Sequence, residues 1–238
     1  MNRNQLKYLA VLAMLIDHIA WAFVPTASLL GQIMHFFGRL TAPTMAFFVA
    51  EGYCHTRNIR KYVLRMGIFA LLSWIPFVYF EWGCLPICRI NGKLMFLPAF
   101  GVIYTLFLGL LAIWLWDQKR CPMWCKLLGI AVLCVLSSVG DWSFFAVLWC
   151  LFFFIYRDYQ QKKWLMFSAV AFVCCAPMLW ETPWWRSCFM LGIFLAPPLI
   201  QFGYCGQPGG KSTFHKWFFY VFYPLHLLVL GLLKWKIF

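Results

Sequence analysis

Charge is scarce in this chain. Only 11% of its 238 residues are charged, and Asp and Glu together number seven, whereas 64% of the residues are hydrophobic and 21% are aromatic. A water-soluble domain of this length needs more polar side chains than this to cover its surface. The composition therefore excludes an ordinary soluble globule and predicts an all-α polytopic membrane protein surrounded by the lipid bilayer.

The sequence also lacks internal repeats, low-complexity tracts and linkers, so we expect one membrane-embedded domain over residues 1–238. Zinc-binding spacings are missing as well. The cysteine pairs Cys84/Cys88 and Cys121/Cys125 are not CxxC motifs and have no nearby set of histidines, so we expect no metal. In an oxidising exterior Cys84 and Cys88 could form a disulfide, and the sequence leaves that pairing open.

Long apolar runs supply about nine candidate transmembrane helices, since a helix needs about 20 apolar residues to cross a bilayer. The second run is short, which indicates a broken helix with Ser28–Gly38 as its other half. The first run carries ionisable residues at its centre and lacks a small-residue cleavage site, so we expect it to remain in the mature chain. The runs are 6–24, 40–54, 62–80, 96–116, 123–139, 142–156, 163–180, 187–204 and 217–235.

The net charge of +13 is explained mostly by membrane topology. With the N-terminus in the cytoplasm, fourteen of the twenty basic residues fall on the cytoplasmic side, as the positive-inside rule requires. We therefore expect a multi-pass protein of the bacterial inner or plasma membrane and no nucleic-acid partner, although an anion site within this cluster stays open. The fourteen are Arg3, Lys7, Arg57, Arg60, Lys61, Arg65, Lys119, Arg120, Lys126, Arg157, Lys162, Lys163, Lys211 and Lys216.

Two ionisable residues, Asp17 and His18, lie at the centre of the first apolar run. A charged side chain there costs about 2.5–3.5 kcal/mol on insertion scales, so such residues usually face a polar cavity. The alternative is a structural role, with Asp17 binding a neighbouring helix. In the predicted topology His18, Arg39, Asp141 and His226 share one level in the outer half of the membrane, which favours a polar chamber that opens outward.

Polar stripes on the first and second helices connect this level to the inner surface. Lys7 and His18 are eleven positions apart, which places them about 20° from one face and separates them by roughly 16 Å of helical rise. Glu51 and His55 share a face of the second helix. A buried Glu51 needs a partner, and Arg39 or His55 are nearest in sequence, so an ion pair without further function is the alternative here.

The last predicted helix carries a third polar pair. Tyr223 and His226, three positions apart, share one of its faces, and Pro224 removes a backbone hydrogen bond one turn earlier. A kinked aromatic helix at the membrane interface would have the same pattern. The pair becomes informative through its common level with Asp17 and His18.

Several stretches together resemble the TraX family, named for a conjugation protein that acetylates the N-terminus of pilin. They are LAMLIDHIAWAF, GRLTAPTMAFFVAEGYCHTRNIRKYVLRM, FALLSWIPF, YTLFLGLLAIW, VGDW and FYVFYPLHLLVL. They follow in the family's order over nearly the whole chain, and Gly38 to Arg65 is the most specific part. TraX proteins are in turn similar to the acyltransferase-3 superfamily, whose first helix has a basic residue, ten others and a His, as Lys7 and His18 do here.

The resemblance implies an integral membrane acyltransferase. It would move an acyl group, most simply acetyl, from cytoplasmic acyl-CoA to an amine or hydroxyl at the membrane or outer face, such as a pilin N-terminus or a surface glycan. His18 would be the general base, with Asp17 orienting its ring, or would carry the acyl group itself. Arg39 would stabilise a developing oxyanion or fix Glu51.

The resemblance also divides the other candidate residues between donor and acceptor. Basic residues at the inner mouth would hold the phosphates of acetyl-CoA, and polar residues of the outer half would line the acceptor side. The donor side comprises Lys7, Arg57, Arg60 and Arg65; the acceptor side comprises Asp141, Tyr223 and His226.

Two other classes of protein stay open at this point. A small proton-coupled transporter would also place Asp, His, Arg and Glu within helices, but it should show inverted repeats and charges in both halves of the chain. A haem protein could use His18 and His226 as axial ligands, although an Asp beside one ligand and the few other histidines disfavour it.

Overall fold

The computed structural model describes residues 1–90, 93–180, 183–210 and 212–236, and helices make up most of this part of the chain. In chain order the first helices and the two strands are α1 (Arg3–Phe23), α2 (Leu29–Gly38), α3 (Thr41–His55), α4 (Ile59–Leu72), α5 (Trp74–Trp82), β1 (Ile87–Ile90) and β2 (Lys93–Phe96). They are followed by α6 (Val102–Trp116), α7 (Met123–Leu136), α8 (Ser143–Ile155), α9 (Gln160–Leu179), α10 (Trp184–Gly203) and α11 (Thr213–Lys236). Helix α10 is composite: a 3-10 segment, Trp184–Leu195, leads through one α-helical turn into a π-helical end, Leu199–Gly203.

Five helical segments of the described chain are long and apolar enough to cross a membrane. They are Arg3–Phe23, Leu29–His55, Ile59–Trp82, Trp184–Gly203 and Trp217–Lys236. Helices α6, α7 and α8 are apolar but shorter, and α9, which covers all but the last residue of the predicted run 163–180, is not among the five. The fold is thus mainly helical with several candidate spans, whereas the nine crossings and the cytoplasmic N-terminus predicted from the sequence are not confirmed.

Large apolar side chains cover much of the outer surface. Leu12 of α1, Leu64 and Leu71 of α4, and Phe172 of α9 are each more than half exposed, and they are four of many such side chains. Water-soluble proteins rarely expose so many large apolar side chains. The outward faces of the helices therefore indicate a protein embedded in a membrane.

The second span is broken between α2 and α3, as the sequence predicts. Ser28 caps the first half, and Arg39 and Leu40 join the halves in right-handed helical conformation. The backbone amide of Arg39 still bonds to the His35 carbonyl, so the chain does not unwind between the halves. Pro43 lies in the first turn of α3, where its missing amide hydrogen leaves no helical bond unmade.

A two-stranded antiparallel hairpin, absent from the all-α prediction, interrupts the helices. Strands β1 and β2 pair with Ile87 opposite Phe96. The predicted span 96–116 is therefore shortened at its start, and α6 begins only at Val102. The sequence between the strands, Asn91-Gly92, is a dipeptide typical of tight hairpins and was the missed signal.

The helices that matter for function surround α1. Helix α1 packs against α2, α3 and α11, while α6 packs against α3, α4 and α8. Trp149 of α8 and Phe80 of α5 are fully buried in the core between these layers. Because α1, α3, α4, α6 and α11 face one another, their polar residues can share one internal space.

Candidate functional site

A cavity of about 500 Å³ lies between α1, α3, α4, α6 and α11. One end is lined by Arg3, Lys7 and Arg65, and we call it the basic end. The opposite end, lined by Asp17, His18, Asp141 and Tyr223, is the histidine end. Arg3 and His18 are fifteen positions apart in α1, so the cavity spans about 22 Å along that helix. Its middle wall is mainly apolar and includes Val11, Met14, Met45, Val49, Met66 and Leu106.

His18 and His226 form a hydrogen-bonded pair between α1 and α11. His18 Nδ1 lies 3.0 Å from His226 Nε2, and both side chains are buried. The expected approach of these two residues is therefore confirmed, although only His18 is among the residues that line the cavity. His226 Nδ1 donates to the Phe222 carbonyl at 2.9 Å, and the Phe222 ring stacks on the His226 ring.

Asp17 does not contact the His18 ring through a hydrogen bond described in the structure; its carboxylate binds two other side chains. Oδ1 accepts from His35 Nδ1 at 2.8 Å and Oδ2 accepts from the Arg39 guanidinium at 2.6 Å. Arg39 also lies over the ring of Trp142 at 5.0 Å. The second span thus contributes both partners of Asp17, one from α2 and one from the α2–α3 junction.

The turn before α8 places Asp141 at the histidine end. The Asp141 amide donates to the Phe100 carbonyl at 2.8 Å, and the Thr105 hydroxyl donates to the Asp141 carbonyl, so the backbone of Asp141 is fixed on both sides. The next residues, Trp142 and Ser143, have φ values of 62° and 40°, a left-handed conformation that costs non-glycine residues about 1–3 kcal/mol each. The turn therefore holds Asp141 in place by bonds that outweigh local strain.

Burial raises the pKa of the Asp141 carboxyl from 3.8 to about 6. Burial removes the charged carboxylate from water and is the largest cause; the nearby Arg39 cation opposes it, while Asp17 and Glu81 add to it. Asp141 therefore takes up a proton at a higher pH than an exposed aspartate.

Tyr223 of α11 lies beside His18, with its ring edge-on to the imidazole and the two ring centres 6.4 Å apart. Its hydroxyl oxygen accepts the Val102 amide at the start of α6, at 3.1 Å. A Cβ atom at Gly101 would lie 2.1 Å from this hydroxyl, so only glycine permits the approach. Because the amide occupies the oxygen as an acceptor, the hydroxyl hydrogen stays available to a group in the cavity.

The basic end carries cations without carboxylate partners. Within the described residues neither Lys7 nor Arg65 forms an ion pair. Lys7 lies between the rings of Phe48 and Phe219, and the Arg65 guanidinium lies over Tyr220 at 5.2 Å. Among the residues that the structure describes, the buried Nε of Arg65 has no hydrogen-bond partner. Such unpaired cations in a cavity favour an anionic ligand.

Glu51 is held near the basic end by partners that the sequence analysis did not name. Its Oε2 accepts from Arg3 Nε at 3.0 Å, and its Oε1 accepts a short hydrogen bond from the Tyr204 hydroxyl. The suggested partners of the Glu51 carboxylate, Arg39 and His55, are wrong: Arg39 binds Asp17, and His55 Nδ1 bonds only to the Glu51 backbone carbonyl. Glu51 itself is not among the residues that line the cavity.

Arg57 and Arg60 do not share the position of Arg65. Both are exposed, and neither is among the residues that line the cavity. The cavity reaches from His18 to Lys7 and Arg65 and does not include Arg57. The donor-binding role of Arg57 and Arg60 stays a prediction.

The described residues offer no group of three His, Cys, Asp or Glu side chains that could hold a metal ion. Cys84 and Cys88 are both free thiols. The polar chemistry of the described site therefore rests on histidines, carboxylates, Tyr223 and basic residues.

Sequence reasoning missed His35, Arg3 and Tyr204 as members of this site. Two of them had a signal. His35 precedes Arg39 by four residues and Arg3 precedes Lys7 by four, so each lies one helical turn from a residue already selected. Tyr204 follows α10 and meets Glu51 only through tertiary packing, which no local spacing reveals.

Known proteins match this chain over nearly its whole length. Residues 2–234 match the model of the family described as TraX protein. A protein of Dichelobacter nodosus named "Probable fimbrial assembly protein FimC, serogroup H1" is 30% identical over 242 residues, and the alignment covers 97% of each chain. No solved structure matches the chain.

Proposed function

Because the chain belongs to the TraX family, we propose that it is an integral membrane acyltransferase that moves an acetyl group from acetyl-CoA to an amine or hydroxyl acceptor. The observation that carries the proposal is one continuous cavity with unpaired cations at one end and a buried histidine at the other. An anionic donor and a general base are the two requirements of such a transfer.

The basic end fits the phosphates of the donor. Lys7 and Arg65 lack carboxylate partners among the described residues, and the unpaired Nε of Arg65 is a donor that an anion would satisfy. Arg3 is already paired with Glu51 and would contribute less. The apolar middle wall suits the long, mostly uncharged arm that connects the phosphates of acetyl-CoA to its thioester.

At the histidine end His18 removes the proton of the acceptor as the acceptor nitrogen or oxygen attacks. Acetyl-CoA supplies the acetyl group as an activated thioester. The proton accepted by His18 is the one that the departing thiol needs, so the histidine returns to its starting state after each transfer. The Tyr223 hydroxyl, whose hydrogen is available, donates to the developing oxyanion.

Arg39 and Asp17 act on this chemistry through position. The Arg39 guanidinium is bound to Asp17 and enclosed by aromatic rings, and Arg39 is not among the cavity-lining residues. It therefore holds Asp17 and the broken second span against α1, and an oxyanion role falls to Tyr223. Asp141 lines the acceptor side.

The acceptor is proposed from the relative. The Dichelobacter nodosus protein is named for fimbrial assembly, and a fimbrial subunit offers both amines and hydroxyls for acetylation. With the N-terminus in the cytoplasm, the orientation that the distribution of basic residues predicts, the basic end would face the cytoplasm, where acetyl-CoA is made. Nothing in the structure or the comparisons favours a proton-coupled transporter.

The direct test supplies purified protein in nanodiscs with acetyl-CoA carrying a labelled acetyl group and a fimbrial subunit peptide. We expect label on the peptide, and peptides with a blocked N-terminus or with Ser and Thr replaced distinguish amine from hydroxyl transfer. The proposal would be contradicted by a protein that binds acetyl-CoA but transfers label to no peptide or glycan and releases no labelled acetate by hydrolysis.

A further inference from the structure

His226 does not line the cavity, yet it is the hydrogen-bond partner of the histidine that does. We infer that His226 is a positioning residue: it holds the His18 proton on Nδ1 and so leaves the Nε2 lone pair of His18 as the base. This inference rests on the proposed acyl transfer and replaces the acceptor-binding role that the sequence suggested for His226.

The proton positions follow from a chain of contacts that begins at a backbone carbonyl. The Phe222 carbonyl can only accept, so His226 Nδ1, 2.9 Å away, must carry a hydrogen. In a neutral His226 ring the other nitrogen, Nε2, then has the lone pair. His18 Nδ1 lies 3.0 Å from that lone pair and must therefore donate to it. A neutral His18 is left with its hydrogen on Nδ1 and its lone pair on Nε2.

The surroundings fix the rings in these orientations. The His226 ring is stacked on Phe222, with the ring centres 4.9 Å apart and an angle of 14° between the planes. The His18 ring meets the edge of Phe80 at 90°. Pro224 lies inside α11 and leaves the Tyr220 carbonyl without its helical amide donor, whereas the Phe222 carbonyl accepts the His226 side chain at 2.9 Å. The ring contacts therefore hold both imidazoles in the described pairing, and the Met14 backbone carbonyl is a further acceptor beside His18.

The contacts also say what His226 does when His18 takes up a proton. The imidazolium of His18 would still donate from Nδ1 to His226, now as a charge-assisted bond that stabilises the cation. The proton goes no further, because the far side of His226 ends at a carbonyl that cannot accept one. His226 therefore acts as a fixed acceptor and not as a relay out of the site.

Asp17 does not fill this role, because no hydrogen bond described in the structure joins its carboxylate to His18. Both of its oxygens are engaged, one by His35 and one by Arg39. In serine proteases a carboxylate sets the tautomer of the catalytic histidine, and loss of the correct tautomer there costs about 10⁴-fold in rate. Here a second histidine occupies the corresponding place.

The test combines nitrogen-15 NMR of histidine-labelled protein with transfer rates for two variants. His226→Phe keeps an aromatic ring but removes the acceptor, whereas His226→Gln places an amide oxygen near the position of Nε2. The His18 signals are identified by their loss in His18→Ala. In the wild-type protein we expect His18 to carry hydrogen on Nδ1 and a lone pair on Nε2.

In His226→Phe we expect a mixture of His18 tautomers and a fall in kcat of tenfold or more with little change in the KM for acetyl-CoA, and His226→Gln should restore both. A wild-type His18 with hydrogen on Nε2, or an unchanged tautomer in a folded His226→Phe variant, would overturn the inference. The spectrum of the wild-type protein needs neither variant nor activity. If no acyl transfer is found, the proposed function fails while the tautomer is still measured.

Discussion

Gly38 of α2 lies directly against the side chain of Asp17 in α1. A Cβ atom at position 38 would come within 2.3 Å of the Asp17 Cβ and 2.5 Å of its Oδ1. Since real side chains do not approach so closely, only glycine lets the second span reach the carboxylate. The bonds from His35 and Arg39 to Asp17 depend on this contact.

Gly38→Ala should therefore force α2 away from α1 and destabilise the protein by about 1–3 kcal/mol, the usual cost of overpacking. Thermal unfolding in detergent measures the loss. Gly203→Ala is the matched control, because a Cβ there would meet only the Leu199 Cδ1 at an ordinary 3.4 Å. Equal melting temperatures for the two variants would show that α2 adjusts to a side chain at position 38 without cost.

The Asp17–Arg39 ion pair should couple the effects of the two residues on the free energy of unfolding. Their side chains are only 12% and 11% exposed, so removing one partner leaves a buried charge without compensation, at about 3–5 kcal/mol. We expect Asp17→Asn to be strongly destabilising and the double variant Asp17→Asn, Arg39→Gln to be less destabilised than the sum of the singles. A double-mutant cycle of unfolding free energies measures the coupling. Strict additivity would mean that the pair contributes no coupling.

The broken second span and the meeting of the first and last helices could be predicted from the sequence. The shortness of the second apolar run indicated the break, and ionisable residues at one membrane level indicated that His18 and His226 meet. These signals are local spacing and the cost of burying charge, and both can be evaluated from the sequence without knowledge of the tertiary structure.

The partners inside the site could not be predicted in the same way. We expected the Asp17 carboxylate to orient the His18 ring. Instead, His35 and Arg39, from α2 and the α2–α3 junction, bind the carboxylate, and His18 faces α11. Glu51 was assigned to residues near it in sequence and is bound by Arg3 and Tyr204, 48 and 153 positions away. Sequence distance ranks partners poorly where several spans converge on one cavity.

Arginines that the sequence analysis assigned together to the donor side should differ in their effect on CoA binding. Arg65 lines the cavity, whereas Arg60 is exposed outside it. Arg65→Gln should weaken binding of CoA roughly tenfold or more, since a charge-assisted hydrogen bond contributes about 1.5–3 kcal/mol. Arg60→Gln is the control and should bind CoA as the wild type does. Calorimetric titration with CoA at low and high salt measures both affinities. Equal losses of CoA affinity in the two variants would show that the donor binds at the surface and not at the basic end.

Asp141 should make stability depend on pH. Its pKa is raised to about 6 in the folded protein, so the folded state holds this proton more tightly than the unfolded chain, where the value is 3.8. The contribution of Asp141 is thus most favourable below about pH 4 and is lost as pH rises to about 6. Relative to Asp141→Asn, the wild type should lose stability over this window and then level off. A flat difference, or one that grows with pH, would contradict the burial of this carboxyl.

The central claim is that His18 is the general base of acyl transfer, and the rate of free CoA release from acetyl-CoA in the presence of an acceptor tests it most directly. Wild-type protein should release CoA only when acceptor is added, and His18→Ala should slow the release by about 10²- to 10⁴-fold while the protein stays folded and CoA binding at the basic end changes little. A folded His18→Ala protein that releases CoA at the wild-type rate would contradict the account.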